Sequence, residues 1–375
     1  MKVLIVGAGM AGLACAATLD KEKYDITVID KTDKFGTIGY AISLWNNGIR
    51  ILNRLDINLK DKINTIDYVV YRDSHNRLIS IAKEKDFALT YDMITIVRSD
   101  LHQSLLEKVK EKVKYKMSTN ISNIENIDNG VWVTFKDMNS NDKDSAESRE
   151  SFDIVIGADG IRSTIRENIF PNKIKKYGYK VWLFWNKQKT NRPIIYLGRG
   201  SLAINYNSVN SNAVTVVSKN DESVKLSKKE SLLKVLEKFD ISLKEEVLSI
   251  DEKDIFEDDV LHVDLTSYIS KRIILIGDAA HGFSPLLGMG TTLALEDGYM
   301  LASKLNEIVD SKHIDMALKN YNDERIDYID SFRQRIFLLE KIYLTDWKIF
   351  VFLRDLYGKI FGVTLLEKLI YKYLR

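Results

Sequence analysis

The glycines of Gly7-Ala8-Gly9-Met10-Ala11-Gly12, followed by an acid at Asp30, have the spacing that seats a pyrophosphate. Gly7 permits a tight turn, and Gly9 lets the backbone come close to phosphate oxygens. Gly12 lets the next helix pack on the preceding strand. The start of that helix, which carries Ala11, offers unpaired N–H groups and a partial positive charge. Asp30 can accept hydrogen bonds from both hydroxyls of an adenosine ribose. Together these residues predict a dinucleotide site.

A second cluster reads Gly277-Asp278-Ala279-Ala280-His281, with Pro285, Gly288 and Gly290 after it. An apolar run ending at Ile276 delivers the Asp278 carboxylate into a turn. A helix is predicted to begin near Thr291 and Thr292. A helix start aimed at an electron-rich ring suits a flavin, which gathers negative charge at N1 and O2 on reduction. For His281 the favoured reading is packing or hydrogen bonding behind this loop, ahead of catalysis. Two weaker signals complete the set. One is Gly157-Ala158-Asp159-Gly160, and the other is Arg98, a cation placed just before a predicted helix at 100–113.

The elements that must position these residues follow from hydrophobic periodicity. Residues 2–6 (KVLIV), 25–30, 152–158 and 273–276 read as buried strands, and 10–20 as a helix. Residues 36–48 form a glycine-rich loop leading into a helix at 48–55. Runs at 68–72 and 78–81 suggest a strand pair that begins a second lobe, and 131–135 reads as a further strand. Residues 136–151 are polar and suit a hairpin tip. Between 173 and 264, strand-like runs at 194–197 and 213–218 surround one helix at 228–238, which predicts a mixed sheet roofed by helices. From about residue 316 the chain reads as helical.

The chain has 375 residues and a formal charge of +2, enough for two cored lobes and no reason to expect a nucleic-acid partner. Its one cysteine, Cys15, forms no internal disulfide and suits buried packing. The five histidines show no metal-ligand spacing, so no metal is expected. Met1 and Lys2 lead straight into a strand, and no apolar run is long enough to span a bilayer. A cytoplasmic protein is expected.

In this order the four motifs resemble the single-component (group A) FAD-dependent monooxygenases, over residues 1 to about 330. That family includes para-hydroxybenzoate and salicylate hydroxylases, urate-hydroxylase-like proteins and tetracycline-modifying enzymes. The resemblance implies an α/β protein with a Rossmann-like FAD-binding domain, a mixed β-sheet substrate domain and C-terminal helices. The corresponding boundaries are 1–67, 96–170 and 265–330 for the flavin domain, 68–95 and 171–264 for the sheet, and 331–375 for the tail. It also implies that Asp30 and Lys31 meet the adenosine ribose, Ile121 the adenine through its backbone, and Arg98 and Asp278 the ribityl and pyrophosphate. Asp159 is tied to both FAD and NAD(P)H. Leu287, Gly288, Met289, Gly290, Thr291 and Thr292 would lie along the isoalloxazine, with Ser43 nearby.

Several positions depart from the family pattern. Met289 stands where glutamine or lysine is frequent, and Thr292 where asparagine is common. Gly200-Ser201-Leu202 stands where urate-type members carry an arginine, which points away from urate. The implied reaction uses NADPH or NADH and dioxygen to hydroxylate an aromatic or polyketide-like molecule through a flavin C4a-hydroperoxide. Tyr196, Asn205 and Tyr206 are the candidate substrate contacts, and no catalytic base is assigned. The alternatives are a reductase of an unsaturated lipid or polyketide, and a flavoprotein that only sequesters a ligand. Either a monomer or a homodimer fits. The tail from residue 346 mixes apolar and basic residues, so it reads either as a helix packed on the flavin domain or as one that touches a membrane.

Overall fold

The computed structural model describes residues 1–34, 39–83, 93–138, 148–170, 174–209, 211–219, 226–240 and 242–363. The chain opens as β1 (Lys2–Val6), α1 (Met10–Thr18) and β2 (Asp25–Ile29). After Lys2 every residue of β1 is buried, as a strand covered on both faces requires. There follow β3 (Ala41–Leu44), α2 (Asn46–Arg54), β4 (Ile63–Thr65), β5 (Tyr68–Asp73), β6 (Leu78–Lys83), β7 (Ile94–Val97) and α3 (Arg98–Val109). Arg98 is thus the first residue of α3 rather than a residue ahead of it.

Next come β8 (Lys114–Lys116), β9 (Thr119–Ile127), β10 (Gly130–Asp137), β11 (Ser148–Phe152), β12 (Ile154–Gly157) and α4 (Thr164–Ile169). The run 152–158, expected as one strand, is shared between two. Phe152 ends β11, and Asp153 accepts the Lys2 N–H at 2.7 Å before β12 begins. The polar run between β10 and β11 joins antiparallel partners, Phe135 opposite Ser148, and residues 139–147 within it lie outside the described residues.

The second half adds β13 (Ile174–Asn186), β14 (Ile194–Leu197), β15 (Ser201–Asn207), β16 (Asn212–Lys219), α5 (Lys228–Leu236) and α6 (Leu243–Ser249). The seven-residue α6 is a second helix where the sequence predicts one, since it is too short to show a period. The chain closes with β17 (Phe256–Val263), β18 (Ile269–Ser270), β19 (Ile273–Leu275), α7 (Asp278–His281), α8 (Gly290–Glu307), α9 (Ile314–Tyr343) and α10 (Lys348–Phe361).

A six-stranded sheet runs β18-β19-β12-β1-β2-β8, with all neighbours parallel except the β18–β19 pair. One face packs on α1, α3 and α8, and the other lies under the antiparallel sheet β11-β10-β9. A seven-stranded sheet, β17-β13-β16-β15-β14-β5-β6, is antiparallel except where β14 meets β5. Strand alternation gives it two faces. Trp182, Phe184, Tyr196 and Val214 turn toward α5 and α6, while Val181, Leu202 and Ile204 turn toward the 285–293 segment and α9. A small sheet, β3-β7-β4, completes the fold.

Candidate functional site

Strand β1 has β2 on one side and β12 on the other, so the chain reverses direction across the sheet at this point. Crevices open where such a reversal occurs, beyond the carboxyl ends of the strands. Gly7 follows β1, and Ala158 and Asp159 follow β12. Gly7 has φ +106°, and a Cβ there would overlap the Ala158 carbonyl. Only glycine fits this close approach. A Cβ on Gly12 would overlap the Gly7 carbonyl in the same way, so α1 can rest directly on the turn.

Two cavities share a wall of Gly9, Ala158 and Gly160. The smaller, about 200 Å³, is lined by Gly7, Asp30, Lys31, Thr119, Asn120, Asp159 and Arg162. The larger, about 470 Å³, is lined by Ala11, Ser43, Arg98, Asp278, Pro285, Gly288, Gly290 and Thr291. Val181, Leu183, Tyr206 and Thr215 from the seven-stranded sheet line it too, together with Phe256 and Phe283. A wider hollow of about 580 Å³ lies at the other end of the parallel sheet, among residues 21–26 and 111–114. It contains none of the motif residues.

The polar groups of this trough are held from behind. Asp30 Oδ2 accepts the Ala8 N–H at 2.9 Å, and Oδ1 accepts from the Thr32 N–H and hydroxyl. His102 on α3 lies 2.7 Å from the Ala8 carbonyl, so strand, turn and helix are tied at one residue. Burial raises the Asp159 carboxyl above its usual range, against the hydrogen bonds of Ser163 and the Ile165 N–H. Asp159 Oδ1 is buried without a hydrogen-bond partner among the described residues. Burial likewise raises Asp278, against the pull of His281 and Arg98.

Beneath α7 lies a buried knot. Asp297 of α8 takes the Gly277 N–H at 2.6 Å, lies 2.6 Å from His281 Nε2, and pairs with Arg325 of α9. Asp297 therefore holds the turn that presents Asp278 at both ends, through Gly277 and His281. Pro285 opens the next turn, and Gly288 closes it at φ +62°. A Cβ on Gly288 would overlap Ser43 Oγ and sit 4.0 Å from Tyr206 Oη, so three segments converge there.

Some predicted contacts lie elsewhere. Tyr196 is buried against Trp182 and Val216 beneath α5 and α6, away from both cavities. Asn205 alternates with Tyr206 along β15, so it faces the same distal side. Ile121 is buried between the sheets and its N–H is taken by Asn120 Oδ1 at 2.9 Å, so Thr119 and Asn120 line the cavity instead. Met289 is buried in the second core, as an apolar side chain at that position can be. Leu287 and Thr292 serve Trp45, whose ring N–H donates to the Leu287 carbonyl and whose backbone N–H donates to Thr292 Oγ1. Val181, Leu183, Phe256 and Phe283 line the cavity from outside the 194–218 segment, where sequence reasoning did not look. The alternation of β13 was the one available signal for the first two.

Residues 1–335 match one family model, described as FAD binding domain. The chain belongs to this family. FAD is its cofactor, and it is an FAD-dependent oxidoreductase. Among its relatives is an FAD-dependent monooxygenase, asL4, of Sarocladium schorii, 26% identical over 81% of this chain and 75% of that one. The 6-hydroxynicotinate 3-monooxygenase of Pseudomonas fluorescens is also 26% identical, over 87% of this chain and 88% of the other. Among solved structures, Klebsiella pneumoniae HpxO complexed with FAD and uric acid superposes with a TM-score of 0.82. It is 18% identical, with 99% of this chain and 97% of that chain covered.

The trough fits FAD on its own geometry. A Cβ on Gly9 would meet nothing within 4 Å, which leaves open ground at the start of α1. Arg98 extends an exposed cation into the larger cavity, which Asp278 also lines. An acid beside the smaller cavity and two helix starts along the path supply the donors and acceptors that a ribose and a diphosphate require.

Proposed function

We propose that this FAD-dependent monooxygenase inserts one oxygen atom of dioxygen into an apolar, ring-bearing small molecule. That substrate would lie between the 285–290 turn and the near face of the seven-stranded sheet. The observation that supports this reading is the composition of the larger cavity. Flavin-motif residues Arg98, Asp278, Gly288 and Gly290 share one space with Val181, Leu183, Phe256 and Phe283. When bound, FAD supplies hydride acceptance from NADPH or NADH and the activation of dioxygen.

The chain's own part is binding, orientation and exclusion of water. In this reading Asp30 and Lys31 take the ribose, Thr119 and Asn120 flank the adenine, and Gly9 and Ala11 face the diphosphate. Arg98 and Asp278 hold the ribityl portion, and Asp159 stands where both nucleotides approach. The turn from Pro285 to Thr291 lies along the ring. Residues 1–67, 96–170 and 265–330 thus carry the cofactor, while 68–95 and 171–264 supply the wall over the substrate. Tyr206 and Thr215 are the polar handles on that wall, and Tyr206 can donate or accept one hydrogen bond to orient a ring. The apolar sheet and Phe283 keep water from the reacting face.

One chain supplies both cavities, so the reaction needs no partner subunit. An apolar substrate also gives the outward apolar face of α10 a reason to meet a membrane. The test is NADPH or NADH oxidation by the FAD-loaded protein in air, with and without phenols, quinolones and polyketides. A ring compound that accelerates oxidation supports the reading. Equal rates with every compound, all released as peroxide, would refute it.

A further inference from the structure

Helix α10 is amphipathic in the reverse sense of a packed helix. Its small side rests on β6, the edge strand of the seven-stranded sheet, where a Cβ on Gly358 would crowd Ile79 at 2.6 Å. Its large residues point out. Ile349, Phe352, Leu353, Leu356 and Ile360 recur at i, i+3, i+4, i+7 and i+11, and all five are exposed. Trp347 and Phe361, at its two ends, are 67% and 62% exposed. Monomeric proteins rarely leave so continuous an apolar face in water.

The charges beside this face are sorted. Asp346 is paired with Lys219, and Asp355 with Arg354. The Arg354 guanidinium is further held by the carbonyls of Leu197, Gly198 and Tyr343. Lys348 and Lys359 are exposed and form no ion pair with any other described residue. The acids near the helix, Asp346 and Asp355, are thus neutralised, while along its flank two lysines have no acidic partner among the described residues. After Val363 the sequence continues with Lys368, Lys372 and Arg375 against a single acid, Glu367.

We propose that α10 is an interfacial membrane helix that docks on an anionic phospholipid surface. The apolar stripe enters the acyl boundary while Lys348 and Lys359 reach the headgroups. No helix of the described residues is long and apolar enough to cross a membrane, so the contact is peripheral. A second copy of the chain suits the face less well. A helix of this length is about 21 Å long and about 10 Å wide, a footprint far below the roughly 800 Å² per partner of a stable interface.

The experiment is flotation of the full, FAD-loaded chain with vesicles of phosphatidylcholine containing phosphatidylglycerol, and with phosphatidylcholine alone. The protein is expected to float with the anionic vesicles and to bind the neutral ones more weakly. Phe352→Asp combined with Ile360→Asp should reduce binding by about tenfold or more, with the flavin spectrum unchanged. Lys348→Glu and Lys359→Glu should each cost about fivefold on anionic vesicles only. A wild-type chain that stays at the bottom of the gradient overturns the proposal. So does a wild-type dimer that the two aspartates convert to monomer without any flotation, since the face then belongs to a second copy. Binding is read without substrate or turnover, so its failure leaves the reading of the cavity standing.

Discussion

Nε2 of His281 lies 2.6 Å from Oδ2 of Asp297, with both side chains buried. Burial alone would raise the Asp297 carboxyl. Arg325, His281 and the Gly277 N–H together hold it at about 2. The ionised acid therefore accepts from the histidine ring and fixes the α7 turn. His281 supports Asp278 from behind and does not enter the cavity.

Asp297→Asn should destabilise the fold by about 3 kcal/mol, because the buried Arg325 charge loses one of its two carboxylate partners and keeps only Glu296, at 2.9 Å. The native carboxyl lies below its unfolded value of about 4, so its contribution is present above pH 4 and fades as pH falls toward 2. Urea unfolding at pH 7 and pH 3 reads both effects. The variant's deficit should be smaller at pH 3.

Glu340 behaves in the opposite way. Burial on α9 pushes its carboxyl up to about 7, with the Ser284 hydroxyl opposing. His262 lies 3.6 Å away, and burial, with Arg333 adding to it, lowers that imidazole to about 4. His262 contributes a slope of the opposite sign between about pH 4 and 6.5. Between roughly pH 4 and pH 7 the folded Glu340 holds a proton that the unfolded chain has released, so its own contribution to stability falls as pH rises through that window. Glu340→Gln should remove this slope and be the more stable protein at pH 8. Unfolding midpoints at pH 5 and pH 8 check it, and equal slopes in the two proteins would contradict it.

The flavin turn was legible from residues because its requirements are local. Gly7, Gly9 and Asp30 are set by one strand–turn–helix–strand unit, and Asp278 by one strand end. The substrate wall was not, because a single strand does not reveal which of its faces turns to the cofactor. Tyr196 and Tyr206 are both aromatic residues in strands, and only the pairing of β14, β15 and β16 assigns them to opposite sides. Asp297 and Arg325 were equally hidden, since their partners are distant in sequence.

Tyr206→Phe should therefore alter substrate handling, and Tyr196→Phe should not. The first should change the KM for substrate by about threefold to tenfold, the effect of one hydrogen bond, and release more peroxide per NAD(P)H consumed. The second should change stability alone. Steady-state kinetics with peroxide detection separate the two, and equal effects would contradict the assignment of faces.

Asp30→Ala removes the acceptor that holds the Ala8 N–H and faces the smaller cavity. FAD affinity should fall by about tenfold to a hundredfold, as expected for a charge-assisted hydrogen bond. Titration of the apoprotein by flavin fluorescence reads this directly, and an unchanged affinity would move the ribose elsewhere.

The central claim is oxygen insertion into a substrate held between the 285–290 turn and the sheet. Its most direct test is turnover under isotopically labelled dioxygen with a ring compound that accelerates NAD(P)H oxidation. The account predicts a product carrying one labelled oxygen atom and no turnover when dioxygen is withheld. A reduced, unlabelled product that forms equally well without dioxygen would contradict it and make the protein a reductase.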